Sequence, residues 1–314
     1  VKYAIVFPGQ ASQYVGMGKE LAEKYDIVDK TLSEADEILG LPIKRLCFAG
    51  PEEELTKTYN TQPAIMAVSI AFWRLLRELE PSMSPAFLAG HSLGEYTALV
   101  ASSVIDFASG LKLVRKRGEW MQEAVPLGVG AMGAIMGLTV EEVERICSEA
   151  ALGEVLTCAN INSPTQIVVS GHRSAVQRAL SIAKERGAKK VVELNVSAPF
   201  HCSLMKEVGD KLFEEFKKIQ FKDAQIPIVA NVDALPTYRA EDIKVKLRDQ
   251  TFSPVRWVDS VLKMIEEGVK AFIEVGPGKV LSGLIRSTDK DVKLLRVEDE
   301  KTLKETLDFL KGVI

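Results

Sequence analysis

Ser92 lies at the centre of Gly90-His91-Ser92-Leu93-Gly94, a Gly-x-Ser-x-Gly pentapeptide suited to nucleophilic catalysis. A short apolar run, Ala86-Phe87-Leu88-Ala89, leads in, and an apolar-periodic segment from Glu95 to about Val104 leads out. Strand, tight turn and helix in that order present a serine hydroxyl at the top of a sheet. The glycines leave room for neighbouring backbone. The helix start directs free N–H groups and a positive dipole end toward developing negative charge. A chance match is the competing explanation, but a chain of this length yields only roughly 0.1 such pentapeptides by composition.

A serine nucleophile usually needs a base, and the chain has three histidines. His91 adjoins Ser92 and cannot easily fold back on it. His172 follows a strand and opens a helix, where capping suits it better. His201, in the loop Ser197-Ala198-Pro199-Phe200-His201 ahead of a helix, is the preferred base; a surface or capping histidine is the alternative. No acid completes a triad in the order Ser, Asp or Glu, His, because the loop residues Asn231 and Asp233 come after His201. Another residue or a main-chain carbonyl must orient the imidazole. Gln10, in the loop after the first strand, is placed to supply one oxyanion N–H and Leu93 the other. The plainer reading of Gln10 is a polar residue in a turn. Arg117, in Val114-Arg115-Lys116-Arg117-Gly118, could grip a free carboxylate, or share a solvated basic face with Arg115 and Lys116.

The elements that must position these residues alternate strand and helix. Tyr3–Phe7 is a strand, the helical patterns at 17–25, 29–39, 52–55 and 62–79 follow, and Phe107–Glu123 is helical after the pentapeptide. That pattern predicts an α/β core with a mainly parallel sheet. From Gly128 the character changes to strand, helix, strand, strand, helix, strand, the ferredoxin-like order. Its first helix carries a capping box, Thr139 with Glu142. We therefore expect a large α/β unit, 1–127 and 196–314, with a small unit, 128–195, inserted. Phosphate-loop and dinucleotide readings fail: Gly18-Lys19 and Gly278-Lys279 are not followed by Ser or Thr, and no G-x-G-x-x-G follows a strand.

Composition narrows the class. The 314 residues are 46% hydrophobic and 26% charged, with a net charge of −3, an ordinary globular balance without the basic footprint of a nucleic-acid binder. No apolar stretch reaches the roughly 18 residues of a membrane span, and the first residues read as a strand, not a signal peptide. The four scattered cysteines form no C-x-x-C pair and fit free thiols in a reducing cytoplasm. Lys184, Arg186, Lys189 and Lys190 form a basic cluster that would suit an acidic partner or simply face solvent.

Taken jointly, Phe7-Pro8-Gly9-Gln10-Ala11-Ser12-Gln13, Thr61-Gln62-Pro63-Ala64, Gly90-His91-Ser92-Leu93-Gly94-Glu95, Arg117, His201 and Glu274-Val275-Gly276-Pro277-Gly278 resemble the signature set of the malonyl-CoA:acyl-carrier-protein transacylase family. The resemblance runs from about Ala4 to the Lys293 region. It implies an α/β-hydrolase-like core with a ferredoxin-like subdomain. It implies Ser92 as the acylated nucleophile, His201 as its base and Arg117 as partner of the malonyl carboxylate. Gln10 and Leu93 would form the oxyanion hole, and the Gln250 carbonyl would orient His201. Asn160 and Asn162 match polar residues near the family's cleft. Phe200, before the histidine, goes with malonyl rather than methylmalonyl in related polyketide synthase domains. The implied substrates are malonyl-CoA and a phosphopantetheinylated acyl carrier protein, with no metal or other cofactor. A serine hydrolase on the same elbow, or a non-catalytic carrier-protein-binding scaffold, are the competing readings.

Overall fold

A computed structural model describes residues 1–196 and 198–314, so Ser197 of the expected histidine loop lies outside the described residues. The strands are β1 (Lys2–Phe7), β2 (Phe87–Gly90), β3 (Gly130–Met136), β4 (Leu156–Ser163), β5 (Gln166–His172), β6 (Lys190–Glu193), β7 (Ile228–Val229), β8 (Pro236–Thr237), β9 (Val255–Arg256), β10 (Val269–Val275) and β11 (Lys293–Val297). They form a six-stranded sheet, β11-β10-β1-β2-β7-β8, and a five-stranded sheet, β6-β3-β5-β4-β9. The first is parallel except for its β7–β8 edge.

The mainly parallel sheet follows from strands that are apolar on both faces. In β1, Tyr3, Ile5 and Phe7 enter one core, while Ala4 and Val6 enter another on the opposite face. The long helix Thr58–Leu79 covers the first face; Trp257–Glu266 and Val280–Thr288 cover the second. In the smaller sheet the period-2 alternation sorts residues the same way. Ala131, Ile135, Ile167 and Val169 pack with Val140–Ala150 and Arg173–Glu185, whereas Met132, Ala134 and Val168 join the main core. The strand order of its first four members is the ferredoxin-like one expected. The Thr139–Glu142 capping box is formed. A fifth strand, β9, absent from the sequence reading, adds parallel to β4 from far along the chain. Its two residues are too few to show a period.

Other boundaries shift. Strand β7 is only Ile228–Val229, and the helix Ile43–Ala49 is not among the helical patterns expected from the sequence. His172 occupies the position before its helix without capping it; its Nδ1 accepts from the Val155 N–H instead, at 2.9 Å. No helix of the described residues is long and apolar enough to cross a membrane.

Two helices position the arginine of interest. Pro63 lies inside Thr58–Leu79 and cannot donate to the Tyr59 carbonyl. Arg115 supplies the missing donor, its Nη1 lying 3.0 Å from that oxygen and its guanidinium 4.8 Å from the Tyr59 ring centroid. Gly118 lets Phe107–Glu123 approach the same turn; a Cβ there would lie 2.7 Å from the Tyr59 Cα and 2.8 Å from the Thr58 carbonyl oxygen. Gly118→Ala is therefore expected to destabilise the fold by about 1–3 kcal/mol through overpacking. Gly283, in the exposed middle of Val280–Thr288, meets nothing within 4 Å of a built Cβ, so Gly283→Ala should stabilise by roughly 0.5–1 kcal/mol. Urea denaturation of the two variants checks both signs; a stabilising Gly118→Ala would contradict the packing account.

Candidate active site

The C-terminal ends of three adjacent parallel strands meet beneath Ser92. β2 runs into the elbow, where Ser92 adopts φ 52° and ψ −108° before the helix Leu93–Ala101. A non-glycine residue in such a conformation costs about 1–3 kcal/mol and must be held by its surroundings. A Cβ on Gly90 would lie 1.9 Å from the Gly94 carbonyl oxygen, and one on Gly94 would lie 2.2 Å from that of Phe7. These clashes explain the two glycines of the pentapeptide. The turn after β1 rests on the elbow at Gly9, where a Cβ would come 2.3 Å from the His91 carbonyl oxygen. The turn after β10 presses on Pro8, with a Cβ on Gly276 only 2.6 Å from the Pro8 Cγ. Beside it the buried Glu274 carboxylate accepts from the Leu281 and Ser282 N–H groups and the Ser282 hydroxyl. Burial raises the Glu274 carboxyl to about 7.

The expected residues gather around the serine. The Ser92 Oγ lies 2.7 Å from His201 Nε2. His201 Nδ1 lies 2.8 Å from the Gln250 carbonyl oxygen. A carbonyl only accepts, so Nδ1 carries the proton and Nε2 is left to accept from the serine hydroxyl. His201 is 2% exposed, not a surface residue, and its φ is 58°. Burial, and next the Arg117 charge, lower its pKa to about 3. It is therefore a neutral acceptor across the physiological range. Leu93 opens its helix, so its N–H has no acceptor within it. Gln10 sits in the turn that Gly9 seats on the elbow, with its side-chain Nε2 donating to Thr58 Oγ1 at 3.2 Å.

Arg117 is not on the solvated face. Arg115 and Lys116 are half-buried at its edge, pairing with Glu119 and Glu215, whereas Arg117 is 1% exposed. Its guanidinium donates to Gln62 Oε1 at 2.8 Å, Ser92 Oγ at 3.0 Å and Gln250 Oε1 at 3.0 Å. All three oxygens are uncharged. The Tyr96 ring lies 5.2 Å beneath it, a cation–π contact. Its Nε has no partner among the described residues, and burial lowers its pKa from the usual arginine value.

The remaining expected residues take different places. His91 turns away from the serine as anticipated. Its Nε2 lies 2.7 Å from Asn162 Oδ1, and its ring lies 5.6 Å from that of Trp257. The Asn162 side chain thus braces the elbow. Asn160 is buried on β4, beside the irregular pairing with β5. Phe200 is buried in the main core, directly before His201.

Several residues escaped the sequence reading. Gln62 holds Arg117, and Tyr96 lies under it. Asn231, considered only as an orienter of histidine, instead serves the elbow: its Oδ1 accepts from the Ser92 N–H at 2.8 Å and its Nδ2 donates to the Gly90 carbonyl at 2.7 Å. Glu95 accepts from the Asn231 N–H and from Gln250 Nε2. Buried amides spaced far apart in sequence give no periodic signal, although Gln62 stands within Thr61-Gln62-Pro63-Ala64. No group of three or more histidine, cysteine or acidic side chains suited to a metal occurs among the described residues.

Comparison with known proteins gives the family. A family model described as an acyl transferase domain matches residues 4–304. The chain is 46% identical to the malonyl CoA-acyl carrier protein transacylase of Bacillus subtilis over 99% of its own length and 98% of the relative's. It is 47% identical to the Escherichia coli protein of the same name, over 91% and 92% of the two chains. The crystal structure of an acyl carrier protein S-malonyltransferase from Vibrio cholerae superposes with a TM-score of 0.95 at 47% identity, covering 98% of this chain and 100% of that one. A type II PKS acyl-carrier protein in complex with its malonyl-transacylase contains a chain that superposes at 0.96 with 44% identity, over 98% and 100%. The chain therefore belongs to the acyl transferase domain family, among the malonyl CoA-acyl carrier protein transacylases.

Proposed function

We propose that this protein transfers malonyl from malonyl-CoA to the phosphopantetheine thiol of an acyl carrier protein, supplying extender units for fatty acid synthesis. The observation that carries this reading is Arg117, a buried cation whose three acceptors are all neutral. Burying a charge without a counter-charge costs several kcal/mol. A substrate carboxylate arriving beside Ser92 supplies that counter-charge, and a malonyl thioester carries one at the right end of a short acyl chain. The reading treats 1–127 and 196–314 as a catalytic unit and 128–195 as a smaller unit beside the cleft.

Ser92 Oγ attacks the thioester carbonyl while His201 Nε2 takes its proton, with the Gln250 carbonyl holding the imidazole in the required tautomer. The Gln10 and Leu93 N–H groups stabilise the oxyanion, each such donor being worth about 2.7–4 kcal/mol. Collapse expels CoA thiolate, which takes the proton from His201. The pantetheine thiol then gives its proton to His201 and attacks the malonyl-serine ester, and Ser92 Oγ leaves with that proton from His201 Nε2. This is ping-pong chemistry. Two nearly equivalent thioesters exchange, so the enzyme must keep water from the ester. Asn160, Asn162 and Phe200 would line or support the acyl pocket. No metal or other cofactor enters any step.

Ser92→Ala is expected to abolish malonyl transfer to holo carrier protein. Arg117→Ala should lower kcat/KM for malonyl-CoA by about 10- to 150-fold, the loss of one charge-assisted hydrogen-bonded pair, without lowering that for acetyl-CoA. Parallel rate measurements with both thioesters test this; equal losses on the two would reject the carboxylate reading.

The pH dependence has a definite sign. His201 is neutral above about pH 3 in the folded protein, whereas an exposed histidine protonates near 6.5. Inactivation of the free enzyme by a neutral serine-directed sulfonyl fluoride should therefore show no protonation limb near pH 6.5. The His201 contribution to stability should fall as pH drops below about 6.5, because only the unfolded chain takes up that proton, while the buried Glu95 and Glu274 carboxyls, raised to about 7, contribute with the opposite sign over the same range. A limb at pH 6.5 would place His201 in a solvated setting and contradict the site geometry.

A further inference from the structure

Gln250 does two separable jobs. Its backbone carbonyl holds His201, while its side chain lies between Arg117 and Glu95. The side-chain amide has one oxygen and one NH2 group, and only one orientation fits this setting. Its Nε2 faces three acceptors: the Ser92 carbonyl at 2.9 Å, Glu95 Oε1 at 3.2 Å and Asn231 Oδ1 at 3.4 Å. Turned over, its oxygen would confront those three oxygens and its NH2 would confront the Arg117 guanidinium. The amide oxygen therefore faces the arginine and the NH2 group faces Glu95, whose carboxyl burial raises to about 7.

We infer that Glu95 is a positioning residue that sets acyl-group selectivity by fixing the Gln250 amide, and through it the aim of Arg117. Glu95 is 3% exposed and makes no ion pair among the described residues. Its Oε1 accepts from Gln250 Nε2 and from the Asn231 N–H, at 3.2 and 3.1 Å. One carboxyl oxygen thus holds the Gln250 side-chain amide and the Asn231 main chain, the two residues whose side chains bind the Gly90 carbonyl, the Ser92 N–H and the Ser92 carbonyl. Glu95 touches neither the reacting serine oxygen nor His201. Its loss should leave the His201–Gln250 carbonyl bond in place, because that bond uses the backbone. Arg117 should lose a fixed acceptor. A substrate with a carboxylate then suffers, and one without it does not.

This inference rests on the malonyl reading above, and the test separates the two. The kcat/KM for malonyl-CoA and for acetyl-CoA would be measured for wild type, Arg117→Ala, Glu95→Gln, Glu95→Asp, Glu95→Leu and Gln250→Leu. Glu95→Leu is expected to lower the malonyl value by about 10- to 100-fold, the scale of a misaimed binding group, with a much smaller change for acetyl. Glu95→Asp, which withdraws the acceptor by one methylene, should lower the malonyl-to-acetyl ratio in the same direction while folding normally. Glu95→Gln keeps an acceptor oxygen and should restore the ratio. Glu95→Leu and Gln250→Leu combined should cost no more than either alone. The assignment is overturned if both substrates fall in parallel, if Glu95→Asp leaves the ratio untouched, if Glu95→Gln is as damaging as Glu95→Leu, or if the double variant is additive. A ratio that collapses in Arg117→Ala but holds in the Glu95 variants sinks only this assignment. An unchanged ratio in Arg117→Ala sinks the malonyl reading together with it.

Discussion

The buried charge of Arg117 is the constraint on which the rest of the site depends. A guanidinium removed from water is costly unless paired and fully hydrogen-bonded, yet this one reaches only neutral oxygens and an aromatic face. The surrounding architecture is organised to hold it there. Gln62 is presented by a helix turn that Pro63 opens and Arg115 repairs, and Gly118 lets the arginine's own helix press against that turn. The cation is held in place without being neutralised.

The second requirement is a serine held in an unfavourable backbone conformation. Backbone bonds from the His91, Gly94 and Glu95 N–H groups hold part of the elbow, and the side chains of Asn231 and Gln250 between them bind three of its backbone groups. The Gln250 side-chain amide and the Asn231 main-chain N–H both reach Glu95 Oε1. The contacts of Gly276 with Pro8 and of Gly9 with His91 lock three strand ends into one floor. The Gln10 turn, the Ser92 elbow and the Glu274-anchored turn are thus parts of one packed layer at the C-terminal edge of a parallel sheet, the usual ligand-binding edge of such folds.

Much of this was legible in the sequence, and the limits have physical causes. The Gly-x-Ser-x-Gly elbow announces itself because steric demand fixes residue types at fixed spacing. The small unit shows through its order of strands and helices and through a capping box. Arg117 was ambiguous from its neighbours alone, since Arg115 and Lys116 on the same helix are half-buried at the solvated edge; the family resemblance, not periodicity, singled it out. The Gln250 carbonyl is a main-chain group and has no residue-type signature at all. Gln62, Tyr96 and Asn231 act through tertiary contacts between distant segments, which no local pattern encodes. Strands β8 and β9 are two residues each, too short to display a period.

The central claim is that Ser92 carries the acyl group and that Arg117 selects a carboxylate-bearing one. Intact-protein and peptide mass spectrometry after mixing the protein separately with malonyl-CoA and acetyl-CoA tests it most directly. The account predicts a malonyl adduct confined to the Ser92 peptide, little or no acetyl adduct, and loss of the malonyl mass only when holo carrier protein is added. An adduct on another residue, equal labelling by both thioesters, or an adduct that water clears rapidly without carrier protein would contradict it.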